Sequence, residues 1–255
     1  MPAEKTPIIS LKNATKIIEN GDERKVILDN VTLDIYEQDF ITVLGGNGAG
    51  KSTLFNAISG TLTLSSGQVI INGQDVTRKS PEKRAKDISR VFQDPKMGTA
   101  PRMTVAENLA IAALRGKKRN LKLRNIAAYK KEFSEIAEQI GNGLEKHLDT
   151  PTGNLSGGQR QALSLLMATI VAPELLLLDE HTAALDPKTS VALMNLTESL
   201  VIRQNLTALM ITHRMEDALK YGNRLIVMKD GKIVQDLAAD EKSQLKLEDF
   251  YRIFD

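Results

Sequence analysis

The chain has 255 residues and a formal net charge of +2, from 34 lysines and arginines against 32 aspartates and glutamates. A composition with 42% hydrophobic and 26% charged residues is typical of a globular protein and argues against a disordered chain. The small net charge gives no reason to expect a nucleic-acid partner. Because the sequence contains no cysteine, thiol nucleophiles, disulfides and cysteine metal sites are excluded, and a reducing cytosolic compartment is expected.

The first part of the chain alternates short apolar strands with turns, and one glycine cluster is followed by a helical pattern. The residues after this cluster, from Lys51 onward, predict a helix. Runs rich in Ile, Val, Leu and Thr predict strands over 8–15, 26–35, 40–44, 68–71 and 88–92.

The middle of the chain is helical in pattern from 104 to 140, and it opens with a capping box formed by Thr104 and Glu107. Afterwards helices and strands alternate again. We expect helices over 159–171, 187–203 and 245–254, and strands over 175–178, 206–212 and 224–229. A helical insert at about 94–158 therefore interrupts an α/β core with a largely parallel sheet.

The glycine cluster fits the phosphate-loop pattern Gly-x4-Gly-Lys-Ser/Thr, with a predicted strand before it and a helix after it. Glycines let successive backbone N–H groups point at phosphate oxygens, and the helix dipole adds to the attraction. Lys51 is expected to reach the β- and γ-phosphates, and Ser52 to bind Mg²⁺. The residues of this loop are Gly45, Gly46, Asn47, Gly48, Ala49, Gly50, Lys51, Ser52 and Thr53.

Two carboxylates, Asp179 and Glu180, follow the apolar strand 175–178. Open α/β sheets bind ligands at the carboxyl ends of their strands. Asp179 is therefore a candidate Mg²⁺ ligand, and Glu180 a candidate base for the water that attacks a nucleotide.

A second candidate anion site lies at Leu155-Ser156-Gly157-Gly158-Gln159. Ser156 and Gln159 read as a capping box at the start of a helix, and the two glycines permit close approach of a ligand to the backbone. Two phosphate-seeking sites in one chain suggest that two chains share their nucleotides.

These motifs resemble, in type and order, the nucleotide-binding subunit of ATP-binding-cassette (ABC) transporters, and the resemblance covers nearly all of 8–237. It implies a P-loop NTPase (RecA-like) core with an antiparallel β subdomain and an inserted α-helical subdomain. The implied divisions are 1–93, 94–158 and 159–255. The resemblance also assigns Gln93 to Mg²⁺ and the attacking water, Asp186 to the dimer interface, and His213 to the γ-phosphate.

The same resemblance implies a mechanism in which two cassettes pack head to tail around two ATP molecules, each with Mg²⁺. Each γ-phosphate would meet Lys51, Gln93, Glu180 and His213 of one chain and the 156–159 segment of the other. Membrane permease subunits would dock near 94–103, which places the chain at the cytoplasmic face of the membrane. A substrate-binding protein would take part indirectly.

Residues 92–101 and 179–186 are similar to bacterial importer cassettes that work with a permease and a substrate-binding lipoprotein, some with amino-acid-like substrates. The readings left open are a soluble iron–sulfur assembly ATPase, a translation or DNA-repair cassette, and an ATP-sensing module without turnover. Ile18 stands where many cassettes stack an aromatic residue on adenine, and His181 where proline is common. A basic run over 115–124 indicates either a solvent-exposed face or a surface that contacts anionic lipid or a partner protein.

Overall fold

The computed structural model describes residues 6–21, 23–117, 126–138 and 142–254. Its strands are β1 (Ile9–Asn20), β2 (Glu23–Ile35), β3 (Phe40–Gly45), β4 (Ser66–Ile71), β5 (Gln74–Asp75), β6 (Ile88–Val91), β7 (Leu175–Asp179), β8 (Ala208–Ile211), β9 (Arg224–Lys229) and β10 (Lys232–Leu237). Its α-helices are α1 (Lys51–Ser59), α2 (Pro81–Arg84), α3 (Val105–Ala112), α4 (Ile126–Glu138), α5 (Gly157–Thr169), α6 (Pro187–Arg203), α7 (Met215–Lys220), α8 (Ala239–Gln244) and α9 (Leu247–Phe254).

The strands form two sheets of different kinds. A four-stranded antiparallel sheet has the order β2-β1-β4-β5, and a six-stranded sheet has the order β10-β9-β3-β8-β7-β6. In the second sheet all neighbouring strands run parallel except β10, which is antiparallel to β9. The predicted parallel core and antiparallel β subdomain are both present.

The strand β7 shows why the six-stranded sheet is so apolar. Its four leucines are fully buried, and they divide between two core clusters. Leu175 and Leu177 pack with α1 and the antiparallel sheet, whereas Leu176 and Leu178 pack with α5 and α6. Burial on both faces explains the absence of apolar–polar alternation in its sequence.

The segment between β6 and β7 is helical, with its own core cluster from α3, α4 and α5. The predicted capping box at the start of α3 is present: Glu107 N–H donates to Thr104 Oγ1 at 3.2 Å, and Thr104 N–H to Glu107 Oε2 at 2.7 Å. The helical pattern predicted across 104–140 is not one helix, because α3 ends at Ala112 and α4 begins at Ile126. The turn at Gly116, with a φ of 73°, follows α3.

Helix α5 packs against both the helical segment and the six-stranded sheet. Its Leu163 and Leu166 lie in the helical cluster, whereas Ala162 and Leu165 pack on the six-stranded sheet. The expected division of the chain between residues 158 and 159 thus falls inside the continuous helix α5, and it stays a prediction. In the part of the chain that the structure describes, no helix has the length and apolar character needed to cross a membrane.

Candidate active site

The glycine-rich loop joins the end of β3 to the start of α1, as the sequence predicts. Gly50 has a φ of 99° and an added Cβ there would lie 2.8 Å from the carbonyl oxygen of Ile27, so any side chain is excluded. At Gly46 and Gly48, by contrast, an added Cβ would meet no atom within 4 Å. Because Gly50 gives α1 no side-chain cap, the first-turn N–H groups are available to an anion at this open face.

Lys51 is buried against this loop. Its Nζ donates to the carbonyl oxygens of Gly45 at 2.6 Å and Gly46 at 3.0 Å. Burial lowers the pKa of Lys51, and the negative charges of Glu180 and Asp179 oppose that shift. The structure therefore places these acids within electrostatic range of the lysine, whereas the next residue, Ser52, is exposed to solvent.

The two acids stand where parallel strands end. Asp179 closes β7, and Glu180 follows with a left-handed φ of 46°. The backbone N–H of Glu180 donates to the carbonyl oxygen of Ile211 at 3.2 Å, which ties the ends of β7 and β8 together. His213 lies two residues beyond β8, and its Nε2 is 2.5 Å from Glu180 Oε1. The side chain of Glu180 is 13% exposed and that of His213 is 44% exposed, so the pair faces solvent from one side.

Gln93 lies on the other side of β7. Val91 of β6 is paired with Leu178, so Gln93 and Glu180 each stand two residues beyond the same pair. Gln93 is exposed. Its segment is anchored by Gln161 of α5, whose Nε2 donates to the carbonyl oxygen of Phe92 at 2.9 Å. The strand register thus places Gln93 at the same sheet edge as the acids.

Arg90 of β6 also belongs to this cluster, and no pattern in the sequence indicates it. Its guanidinium forms an ion pair with Asp179 and donates to Asn56 Oδ1 of α1 at 2.6 Å. The group also stacks on the ring of Phe92, 4.8 Å from the ring centroid. Both side chains of the ion pair are largely buried, with 13% and 14% exposure.

The second predicted anion site is built as a helix N-terminus. Ser156 caps α5: Gln159 N–H donates to Ser156 Oγ, and Ser156 N–H donates to Gln159 Oε1, both at 3.2 Å. Asp186 caps α6 by accepting the N–H of Thr189 at 3.1 Å, and hydrogen bonds from Thr189 hold the pKa of the Asp186 carboxyl below its usual value. A cavity of about 490 Å³ joins these caps; its lining is Asn142, Ser156, Gly157, Gly158, Gln159, Ala184, Leu185, Asp186 and Thr189.

The residues lining that cavity include none of 45–53. The structure therefore gathers the predicted site residues into two groups. One contains the phosphate loop with Gln93, Asp179, Glu180 and His213, and the other contains 156–159 with Asp186. Leu185 lines both the cavity of the second group and a neighbouring cavity at Glu180 and His213.

His181 is a packed residue. It is 2% exposed, and its Nε2 is 2.9 Å from Thr197 Oγ1 of α6. Burial lowers the pKa of His181 to about 4, so the imidazole is neutral at pH 7. Of the other residues singled out earlier, Ile18 is 48% exposed and Arg115 is half-buried with Nη1 donating to the carbonyl oxygen of Ala168 at 2.9 Å. The rest of the basic run beyond Lys117 lies outside the described residues.

The sequence model of the ABC transporter family matches residues 28–183 of this chain. The chain belongs to the ABC transporter family. It is 43% identical over 249 residues to the tyrosine transport ATP-binding protein of Clostridioides difficile (strain R20291), a match that covers 97% of this chain and 99% of that protein. It is 35% identical over 233 residues to the spermidine/putrescine import ATP-binding protein PotA of Haemophilus ducreyi, covering 91% of this chain and 58% of that protein.

Solved structures agree with the family. A dimeric ATP-binding cassette in a post-hydrolysis state, bound to ADP and Pi, superposes with a TM-score of 0.78 at 29% identity over 91% of this chain and 98% of that chain. A dimeric bacterial ABC transporter cassette gives a TM-score of 0.76 at 30% identity, with the same coverage. The predicted α/β cassette fold and the ATPase class are confirmed, and this chain is the ATP-binding subunit of an ABC transporter.

Proposed function

We propose that this cassette hydrolyses Mg²⁺-bound ATP between two copies of the chain and so drives uptake of an amino-acid-like solute through a membrane permease. The contact between Glu180 and His213, close to Lys51 at one sheet edge, is the observation that carries the proposal. A base, a polar partner and a cation at one point are the groups that ATP hydrolysis requires.

The loop residues fit the phosphates of a nucleoside triphosphate. The open face at Gly46 and Gly48 and the uncapped start of α1 provide backbone donors for phosphate oxygens, and Lys51 supplies a positive charge. We assign phosphate binding to 45–53. Ser52, Gln93 and Asp179 offer the oxygen ligands that Mg²⁺ prefers. Held by these residues, Mg²⁺ would supply positive charge that stabilises the negative charge developing on the phosphate oxygens.

Glu180 is assigned as the general base. Its carboxylate accepts a proton from the attacking water, whose oxygen bonds to the γ-phosphorus while the bond to the leaving ADP oxygen breaks. His213 contacts the carboxylate of Glu180 through Nε2, and because its side chain is 44% exposed we assign it a contact with the γ-phosphate of bound ATP. Gln93 orients the water from the neighbouring strand end. The left-handed backbone of Glu180, tied to Ile211, fixes the direction of this base.

The second group of residues serves the partner's nucleotide. Ser156, Gly157, Gly158 and Gln159 line a cavity that no phosphate-loop residue reaches within the same chain, and Asp186 lies beside them. A head-to-tail dimer brings this group to the phosphate loop of the other copy. ATP then acts as a ligand that favours the closed dimer, and hydrolysis removes that bias. The dimeric states of the two similar solved structures support this arrangement.

The transport role is supported by the similar transport proteins and by the segment after Gln93. Met97 is 69% exposed in the stretch 94–103, which we assign to permease docking at the cytoplasmic face of the membrane. The tyrosine transport relative covers nearly the whole chain at the higher identity, and it favours an amino-acid-like solute. A substrate-binding protein would deliver this solute to the permease.

The catalytic part is tested with Glu180→Gln. This variant should lose ATP turnover, because an amide cannot accept the proton, and light scattering should show a dimer when ATP is added. The matched control is Glu174→Gln, an exposed position just before the same strand, which should keep full turnover. Turnover by Glu180→Gln at the rate of the control would contradict the role assigned to this carboxylate.

The transport part is tested by capturing the chain from detergent-solubilised membranes of its host and identifying what accompanies it. A multi-span permease together with reduced tyrosine uptake in cells carrying Glu180→Gln is the expected result. Recovery of soluble partners alone, from a chain that still hydrolyses ATP, would favour an assembly-type ATPase and refute the transport role.

A further inference from the structure

The assigned mechanism gives no role to Arg90, although its charged side chain contacts Asp179, an assigned magnesium ligand. Its guanidinium pairs with Oδ2 of Asp179, and both side chains are largely buried. We propose that Arg90 is a positioning residue of the magnesium site, which holds Asp179 so that its other carboxylate oxygen faces the metal. The inference rests on the proposed function, since Asp179 is assigned there as a ligand.

The two oxygens of the Asp179 carboxylate have different surroundings. Arg90 engages only Oδ2, and among the described residues Asp179 Oδ1 has no hydrogen-bond partner. A carboxylate at the end of a strand keeps rotational freedom about its last torsion. Fixing one oxygen with a charged hydrogen bond removes that freedom and leaves the second oxygen with one direction.

Arg90 itself is held by a further hydrogen bond and by two aromatic rings. Nη1 donates to Asn56 Oδ1 at 2.6 Å, and Asn56 lies on the helix that starts at the phosphate loop. The guanidinium carbon Cζ lies 4.8 Å from the ring centroid of Phe92 and 6.0 Å from that of Phe55. A planar fork directs separate N–H groups at Asn56 and Asp179 in one fixed geometry, whereas a lysine ammonium offers its donors from a single point on a flexible stem.

The contacts of Arg90 connect three segments of the site. Asn56 follows the phosphate loop on α1, Asp179 ends β7, and Phe92 immediately precedes Gln93. Arg90 therefore contacts one residue from each of the segments that supply Ser52, Asp179 and Gln93, the three assigned magnesium ligands. Changing Arg90 should disturb the binding of Mg²⁺ with ATP more than the binding of ATP alone.

The test uses the full chain carrying Glu180→Gln, so that ATP is not consumed. Calorimetry gives the dissociation constant of ATP in excess Mg²⁺ and again in EDTA. For the added change Arg90→Met, which keeps a long side chain over Phe92, we expect about tenfold weaker binding in Mg²⁺, at the lower end of the range for lost partners of metal ligands. In EDTA the constant should change less than about twofold, the precision such a comparison allows.

Two further variants separate positioning from charge and from general damage. Arg90→Lys keeps the charge without the planar guanidinium. It should bind ATP in excess Mg²⁺ nearly as weakly as Arg90→Met does. Arg115→Met removes another half-buried guanidinium, which contacts the carbonyl oxygen of Ala168 in the helical part, and it should bind like the parent. Thermal unfolding without nucleotide reports whether each variant is folded.

Equal weakening in Mg²⁺ and in EDTA, or no change in either, would overturn the role of Arg90. Full recovery by lysine would also overturn it, because charge alone would then suffice. If the parent itself binds ATP equally well with and without Mg²⁺, the assigned magnesium ligands are wrong, and the failure lies in the proposed function.

Discussion

Gly158 offers a test of how closely the helices α5 and α6 approach at the second anion site. An added Cβ at this position would lie 2.5 Å from Thr189 Cγ2, whereas the next nearest atom, Thr189 Cβ, is 3.8 Å away. Overpacking of this kind costs about 1–3 kcal/mol. Replacing a helical glycine by alanine returns about 0.5–1 kcal/mol through helix propensity. Gly158→Ala should therefore lower the free energy of unfolding, by about 1 kcal/mol as the central value and by up to about 2.5 kcal/mol.

Thr189→Ser removes the one methyl group in conflict and keeps the N–H that Asp186 accepts. In that background Gly158→Ala should reverse its sign and raise the free energy of unfolding by about 0.5 kcal/mol. Urea denaturation of the four proteins, followed by circular dichroism, gives the coupling between the two positions. The same cost for Gly158→Ala in both backgrounds would refute the reasoning, because the loss would then not arise from Thr189.

Two more predictions concern buried polar groups. The pKa of His181 is about 4 in the fold and near 6.5 when the chain is unfolded. The contribution of the neutral imidazole to the free energy of unfolding is therefore fully present above pH 6.5, and about 3 kcal/mol of it is lost as the pH drops to 4. His181→Gln keeps a donor for Thr197 and should lose that part of the pH dependence in urea titrations; an unchanged slope would count against it. Arg84 is 2% exposed and donates to the carbonyl oxygens of Ala57, Ile58, Thr77 and Lys79. Arg84→Met should reduce the free energy of unfolding by at least about 3 kcal/mol, and a loss below about 1 kcal/mol would show that water replaces these bonds.

Local signals in the sequence were enough to predict several elements closely. Helix α6 runs over Pro187–Arg203 as expected, because Asp186 and Pro187 mark its start. Both predicted capping boxes are formed. The elements that were missed have weak signals of their own: β5 has two residues, α2 has four, α7 and α8 have six each, and β10 is an edge strand that is half-buried at best. The helical pattern over 104–140 gave no sign of where α3 ends.

The site could be predicted as a set of residues, but not as a set of contacts. Motif order placed Asp179, Glu180 and His213 at strand ends, where the structure has them. The pairing of Arg90 with Asp179 joins residues 89 positions apart on neighbouring strands, and no local pattern encodes it. The left-handed backbone of Glu180 is likewise imposed by its bond to Ile211, a contact from another strand.

The position of Lys51 has a consequence for how fast nucleotide can bind. Its ammonium group donates to the carbonyl oxygens of Gly45 and Gly46, so the folded chain itself supplies two bonds that hold the loop. Ordering a flexible segment costs about 1–2 kcal/mol per residue, and the two bonds from Lys51 reduce the ordering that binding must supply. An arriving phosphate has to redirect one side chain rather than reshape a loop. The association rate should therefore follow diffusion and salt concentration, with little contribution from a slow conformational step.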